Sequence, residues 1–120
     1  MIRAAELGSV VAQRDLAVCY VWGEHPFKTD WAQVRYWYLR AADQGDQESQ
    51  IAVGSMMVQG DGGPVNQAEG LSLLETAASG PDPKDALAAA RQLARYYSGA
   101  YGVPVDEGKT AEWRAKSEAG

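Results

Sequence analysis

Apolar residues recur along this chain at helical spacing and are broken at intervals by glycine-bearing turns. The first full stretch begins near Ser9, and Ala12, Leu16, Ala17, Cys19, Tyr20 and Val21 carry its apolar stripe, with the rhythm of an amphipathic helix. Gly23 ends that helix and Pro26 interrupts the loop after it. Asp30 is placed as the next N-cap, with Gln33 at the capping-box position. Trp31 to Gln44 then reads as a second helix with Val34, Trp37, Tyr38, Ala41 and Ala42 on one face, stopped by Gly45. The same reading gives a helix from about Asp46 to Gln59, bearing Ile51, Val53, Met56 and Met57. A turn at Gly60-Asp61-Gly62-Gly63-Pro64-Val65 follows, then a helix capped by Asn66 and Glu69. Asp82-Pro83 opens a further helix through Ala86 to Ser98, and a loop from Ala100 to Asp106 leads to a last one bearing Thr110, Ala111 and Trp113. No β-branched run alternates long enough to predict a strand. The expectation is an all-α protein.

These elements repeat. Arg3-Ala4-Ala5-Glu6-Leu7-Gly8 returns as Arg40-Ala41-Ala42-Asp43-Gln44-Gly45, and more loosely as Glu75-Thr76-Ala77-Ala78-Ser79-Gly80. Gly8 to Gly45 spans 37 residues and Gly45 to Gly80 spans 35. A period of that size predicts stacked two-helix units rather than one closed core. The units run over about 9–45, 46–80 and 82–120 of a single domain, with 1–8 as the tail of a preceding helix.

Aligned on their turns, the units resemble the Sel-one-like repeat family, relatives of the tetratricopeptide repeats. The first unit carries the resemblance with Ala12, Leu16, Ala17, Tyr20, Gly23, Asp30, Trp37, Ala41, Ala42 and Gly45. The second carries it with Val53, Gly54, Gly60, Gly62, Asn66, Ala77 and Ala78, with Met57 for the Tyr and Leu73 for the Trp. The third has Ala89, Leu93, Ala94, Tyr97, Gly102, Val103, Asp106 and Trp113, with Ala100 in place of the turn glycine. The loop Glu24-His25-Pro26-Phe27-Lys28-Thr29 departs from the family's glycine-rich turn. The resemblance implies a right-handed α-α superhelix of about three helix-turn-helix repeats and a role in assembling protein partners, often in bacterial signalling, envelope or secretion systems. Exported members often carry one disulfide per repeat, which the single Cys19 cannot form.

Composition narrows the function further. A net charge of −5 argues against nucleic acid as a partner, because phosphate neutralisation needs a basic surface. No apolar run approaches the ~20 residues of a membrane span. Met1-Ile2-Arg3-Ala4-Ala5-Glu6 has no apolar stretch of a signal peptide, so a cytoplasmic location is expected, or a periplasmic one if a signal has been removed. Cys19 and His25 fall far short of a zinc site, and Cys19 on a packing face reads as a small buried hydrophobe rather than a nucleophile. Gly60-Asp61-Gly62-Gly63 lacks both the Lys-Ser/Thr of a phosphate loop and the alternating acids of a calcium loop. No enzyme, cofactor or metal is expected.

The first helix of each hairpin lines the inner face of such stacks. If Leu16, Ala17 and Tyr20 pack inward, then Val11, Arg14, Val18, Val21 and Trp22 project into the groove. Their counterparts are Glu48, Ile51, Ser55, Val58 and Gln59 in the second unit, and Ala88, Arg91, Arg95, Ser98 and Gly99 in the third. Arginines beside Val18, Trp22 and Ile51 suit a peptide with an acidic end; the alternative is that they pair with Asp15, Glu48 or Asp85 and only solvate the helices. Two roles follow: a non-enzymatic adaptor or scaffold that binds protein or peptide on its concave face, or an immunity protein that blocks a cognate toxin. Arg114 and Glu118 replace the stacking residues of earlier units, as a terminal cap requires. At the other end Tyr20 and Trp31 lack a complete neighbour, so the chain is expected either to end a longer array or to self-associate through its N-terminal face.

Overall fold

The start of each long helix is written in one short polar residue. Ser9, Asp30, Asp46, Asn66 and Asp82 each accept a hydrogen bond from backbone N–H groups of the turn that follows, and Asp106 accepts from Lys109 N–H at 2.9 Å. Such caps satisfy donors that the helix itself leaves unpaired. The computed structural model describes residues 2–23 and 28–119. Among them lie seven α-helices and no strand: α1 (Ile2–Glu6), α2 (Val10–Trp22), α3 (Trp31–Asp43), α4 (Gln47–Gln59), α5 (Gln67–Ala78), α6 (Pro83–Tyr97) and α7 (Glu107–Ala119). The expected loop with His25 and Pro26 lies outside the described residues.

Helices α2/α3, α4/α5 and α6/α7 form three hairpins, with α1 packed on the first. The body measures 45 × 28 × 20 Å, elongated as a stack must be. Its apolar interior is divided accordingly. One cluster joins Ala5 of α1 to Leu16, Ala17 and Trp37; a second joins Ala42, Val53 and Met57; the largest holds Val58, Leu74, Leu93, Tyr96, Tyr97, Val103 and Trp113. Each cluster is closed by a neighbouring element, so every unit depends on the next. Arg114 and Glu118 are exposed at the end of α7. Trp31 remains half exposed at the start of α3.

The second hairpin is packed by a means the others lack. Gly54 of α4 and Gly70 of α5 face each other, and a Cβ on Gly70 would stand 2.5 Å from the Gly54 carbonyl oxygen. The first and third hairpins place Ala17 with Val34 and Ala94 with Thr110 at these positions. Gly62 has a different reason to be glycine: its φ is +72°, and a side chain would run into the Trp31 carbonyl. That contact shows how loops join units. Arg35 on α3 donates to the carbonyls of Asp61 (3.3 Å) and Pro64 (2.7 Å) in the second unit's loop. Gln67 on α5 donates likewise to the Tyr101 carbonyl of the third (3.1 Å).

The third loop corrects one expectation. Ala100 does not act as the turn residue; Gly99 takes the left-handed conformation one position earlier, at φ 109°. Tyr101 then adopts φ 55°, a costly conformation for a bulky residue. Its ring packs edge-on to Tyr96 at 5.9 Å and lies beneath the Arg95 guanidinium at 5.4 Å.

Two substitutions test the packing. Trp37 is 6% and Trp113 9% exposed, so Trp37→Ala is expected to cost about 3–5 kcal/mol in chemical denaturation. Gly70→Ala raises intrinsic helix propensity, yet is expected to lose about 1–3 kcal/mol by overpacking. A rise in stability for Gly70→Ala would show that the hairpin opens without penalty.

Candidate functional site

Helices α2, α4 and α6 follow one another along the stack, with α4 against α6. Arg14 of α2 reaches Asp46 at the start of α4, and Gln59 of α4 donates to the Tyr96 hydroxyl of α6 at 2.8 Å. These helices carry the residues expected from the sequence to meet a partner on the inner face, with one correction. Val58 is 1% exposed and belongs to the largest core cluster. The helix phase places it beneath α6, where Leu93 and Tyr96 share its cluster. It is not a surface contact.

The remaining positions differ in character along the face. Val18, Val21, Ile51 and Ser55 are half-buried, whereas Trp22 is 72% exposed. At the far end Arg91 and Arg95 are both exposed, and neither has an acidic partner among the described residues. Arg95 instead lies over the Tyr101 ring and meets its hydroxyl at 3.5 Å. Tyr101 was not legible as part of this face; its place depends on the left-handed turn that swings the ring onto α6.

Arg14 has a different environment. Its guanidinium donates to the Asp46 carboxylate at 2.9 Å and lies 3.8 Å from Glu48. Asp46 also accepts from the N–H and hydroxyl of Ser49 as the cap of α4. Arg14 is therefore the cation of an acid-rich corner between the first two hairpins. Burial, and then the charge of Glu48, raises the Tyr38 phenol above its ordinary value. Burial, and then Asp82 and Asp46, does the same for the Asp85 carboxyl, while Arg14 opposes the shift. Of the alternatives for the three arginines, pairing describes Arg14; Arg91 and Arg95 stay open to solvent.

No group of three or more His, Cys, Asp or Glu residues is placed to hold a metal among the described residues. No described helix is long and apolar enough to cross a membrane. Cys19 is half-buried on α2.

A stack of two-helix units joined by loops and caps defines a helical-repeat protein. Residues 10–46, 47–82 and 87–116 each match the Sel1 repeat. The chain belongs to the Sel1 repeat family, whose members are generally protein-interaction modules without catalytic machinery. It is similar in structure to a protective antigen of uropathogenic Escherichia coli strains displaying an SLR fold, with TM-score 0.82 and 29% identity over 97% of this chain and 24% of that one. It thus spans about a quarter of that protein's length. It is also similar to a Sel1 repeat protein from Oxalobacter formigenes, with TM-score 0.72 and 29% identity over 98% of this chain and 84% of that one. No curated protein sequence matches the chain.

The two kinds of arginine are separable by experiment. Arg14→Ala strands Asp46, whose side chain is 13% exposed, and is expected to cost about 1.5–3 kcal/mol in urea unfolding. Arg91→Ala and Arg95→Ala are expected to stay within about 0.5 kcal/mol of the parent. Equal losses at all three would show that the exposed pair also holds the fold.

Proposed function

We propose that this chain is a non-enzymatic adaptor that holds a segment of a partner protein across the face of α2, α4 and α6. One observation carries the reading. A protein of net charge −5 exposes Trp22, Arg91 and Arg95, and neither arginine has an acidic partner among the described residues. Tryptophan and arginine are the residue types most often found to dominate binding energy at interfaces. Trp22 would be the apolar anchor at one end, and the two arginines, with Tyr101 beside them, would meet carboxylates at the other. Val18, Val21, Ile51 and Ser55 supply a low, largely uncharged floor between them. Arg14 serves this site indirectly, by fixing α2 against α4.

Selection of displayed peptides on the immobilised chain tests the proposal. Enriched sequences are expected to pair an aromatic or large aliphatic residue with Asp or Glu. Trp22→Ala and the double reversal Arg91→Glu/Arg95→Glu are each expected to weaken binding of such peptides by about tenfold or more. Binding that is indifferent to both changes overturns the reading. Because Trp22 and Arg91 are exposed, circular dichroism on the variants will show an unchanged fold.

A further inference from the structure

Repetition lets one hairpin serve as the reference for another. In the first hairpin, the flank between α2 and the end of α3 is covered by large side chains. Arg40 donates to the Tyr36 hydroxyl at 3.3 Å and lies 5.3 Å over the Trp37 ring. Gln44, the C-cap of α3, donates to the Gln13 carboxamide oxygen at 2.9 Å, while Gln13 itself donates to the Ala5 carbonyl. In the second hairpin Tyr36 and Arg40 give way to Ser72 and Thr76, and the C-cap of α5 is Ser79. Small residues leave space. A cavity of about 610 Å³ opens there, with Gln47, Gln50, Ser72, Glu75, Thr76 and Ser79 among its walls.

The walls of this cleft offer acceptors without matching donors. Gln47 is fully committed: it donates to the Ala77 and Asp82 carbonyls and accepts from Asp82 N–H. Gln50, the counterpart of Gln13, is 7% exposed, and its side chain's one hydrogen bond among the described residues is a long 3.5 Å contact to the Ala42 carbonyl. Its carboxamide oxygen makes no hydrogen bond among the described residues, because Ser79 cannot do what Gln44 does for Gln13. Glu75 accepts from the Tyr97 hydroxyl at 3.1 Å and has no cation within ion-pair distance among the described residues; Lys109, 4.9 Å from the Tyr97 ring, feels its charge only from farther away. Burial first, then the Glu75 charge, raises the Tyr97 phenol and keeps it a proton donor. The last turn of α5 ends in this cleft with no basic residue of its own, adding the negative end of a helix. No Lys or Arg lines the cavity.

An amide oxygen open to the cleft on one helix and a carboxylate on the next call for a flat cation with donors in several directions. Guanidinium has five, in a rigid fork, and sheds water more readily than an ammonium. We propose that the α4–α5 cleft is a second binding site, distinct from the face of α2, α4 and α6, and that it takes an arginine side chain of a partner polypeptide. The guanidinium would donate to the Glu75 carboxylate and the Gln50 carboxamide oxygen, in the place that Arg40 and Gln44 cover in the first hairpin. The third hairpin has its own cation in register, Lys116, held by Glu112 at 3.3 Å. Only the second hairpin lacks one.

Nitrogen-15 NMR titration of the full chain tests the site with three probes: acetyl-Gly-Arg-Gly-amide, the same peptide with citrulline for arginine, and methylguanidinium. The arginine peptide is expected to shift the Gln50 side-chain amide and the Ser79 and Gly80 backbone signals saturably, about tenfold or more tighter than either other probe. Glu75→Gln retains an acceptor for Tyr97 and is expected to weaken binding by about tenfold or more. Thr76→Arg restores the first hairpin's residue and is expected to abolish binding. Arg91→Ala is expected to change nothing here, which separates this site from the adaptor face. Equal binding of the citrulline peptide, no effect of Glu75→Gln, or shifts mapping outside the cleft overturns the proposal. Methylguanidinium binding as tightly as the peptide overturns its polypeptide part. Glu75→Gln keeps the test decisive should Thr76→Arg disturb the hairpin.

Discussion

Where one hairpin meets the next, the last turn of a helix brings backbone carbonyls against a neighbouring helix, and those carbonyls need donors. Glutamine supplies them. Gln13 reaches back to Ala5, Gln50 to Ala42, and Gln47 forward to Asp82 while also closing on Ala77 within its own hairpin. An unpaired buried carbonyl costs about 1–3 kcal/mol, so these side chains fix how closely successive units approach and at what angle. The apolar clusters supply the attraction between units. The amides set the register in which that attraction is used, and every surface on the stack inherits it.

The second hairpin shows what happens when the pattern is thinned. It has Gly54 and Gly70 where other units have larger residues, and Leu73 where they have tryptophan. Backbone contact between α4 and α5 takes the place of side-chain packing inside the hairpin. On the outer flank, the same loss of bulk at Ser72, Thr76 and Ser79 is left uncompensated, and a cleft results. A stack tolerates such a unit because its neighbours hold it from both sides: Arg35 clamps its loop, and Gln59 and Gln67 tie it to the third hairpin.

Much of this fold was legible because its determinants are local. Ser9, Asp30, Asp46, Asn66 and Asp82 cap helices within a turn of themselves, and Gly45 and Gly60 end them, so helix limits follow from short windows of sequence. The period exposed the stacking, and Trp37 and Trp113 are buried as their shared place in it implied. What escaped depends on residues far apart in the chain. Val58 looks equivalent to Val21, but only the third hairpin decides that it is covered. Pairing of Arg14 with Glu48 could be read as an alternative, but its nearer partner, Asp46, 32 residues away across the junction, could not. The glutamines are the clearest case. Polar side chains on helices read as solvent-facing, and Gln13 is 0% exposed. No pattern within one unit reveals a donor aimed at another unit's carbonyl.

The distribution of charge follows from the same geometry. Acidic residues outnumber basic ones 16 to 11, yet the surplus is not spread evenly. Asp46, Glu48, Asp82 and Asp85 gather near the junctions, where all four lie at helix N-termini and Arg14 offsets part of their field. Arg91 and Arg95 on α6 have no acidic partner among the described residues. An acidic stack can therefore offer a basic patch on one face and an acceptor-rich cleft on its flank, without any change of fold. In an array whose scaffold rests on small residues, caps and glutamine bridges, the exposed positions of each helix are free to vary in charge. Specificity is then written on the outside of a unit, while the helix caps recur from one repeat to the next.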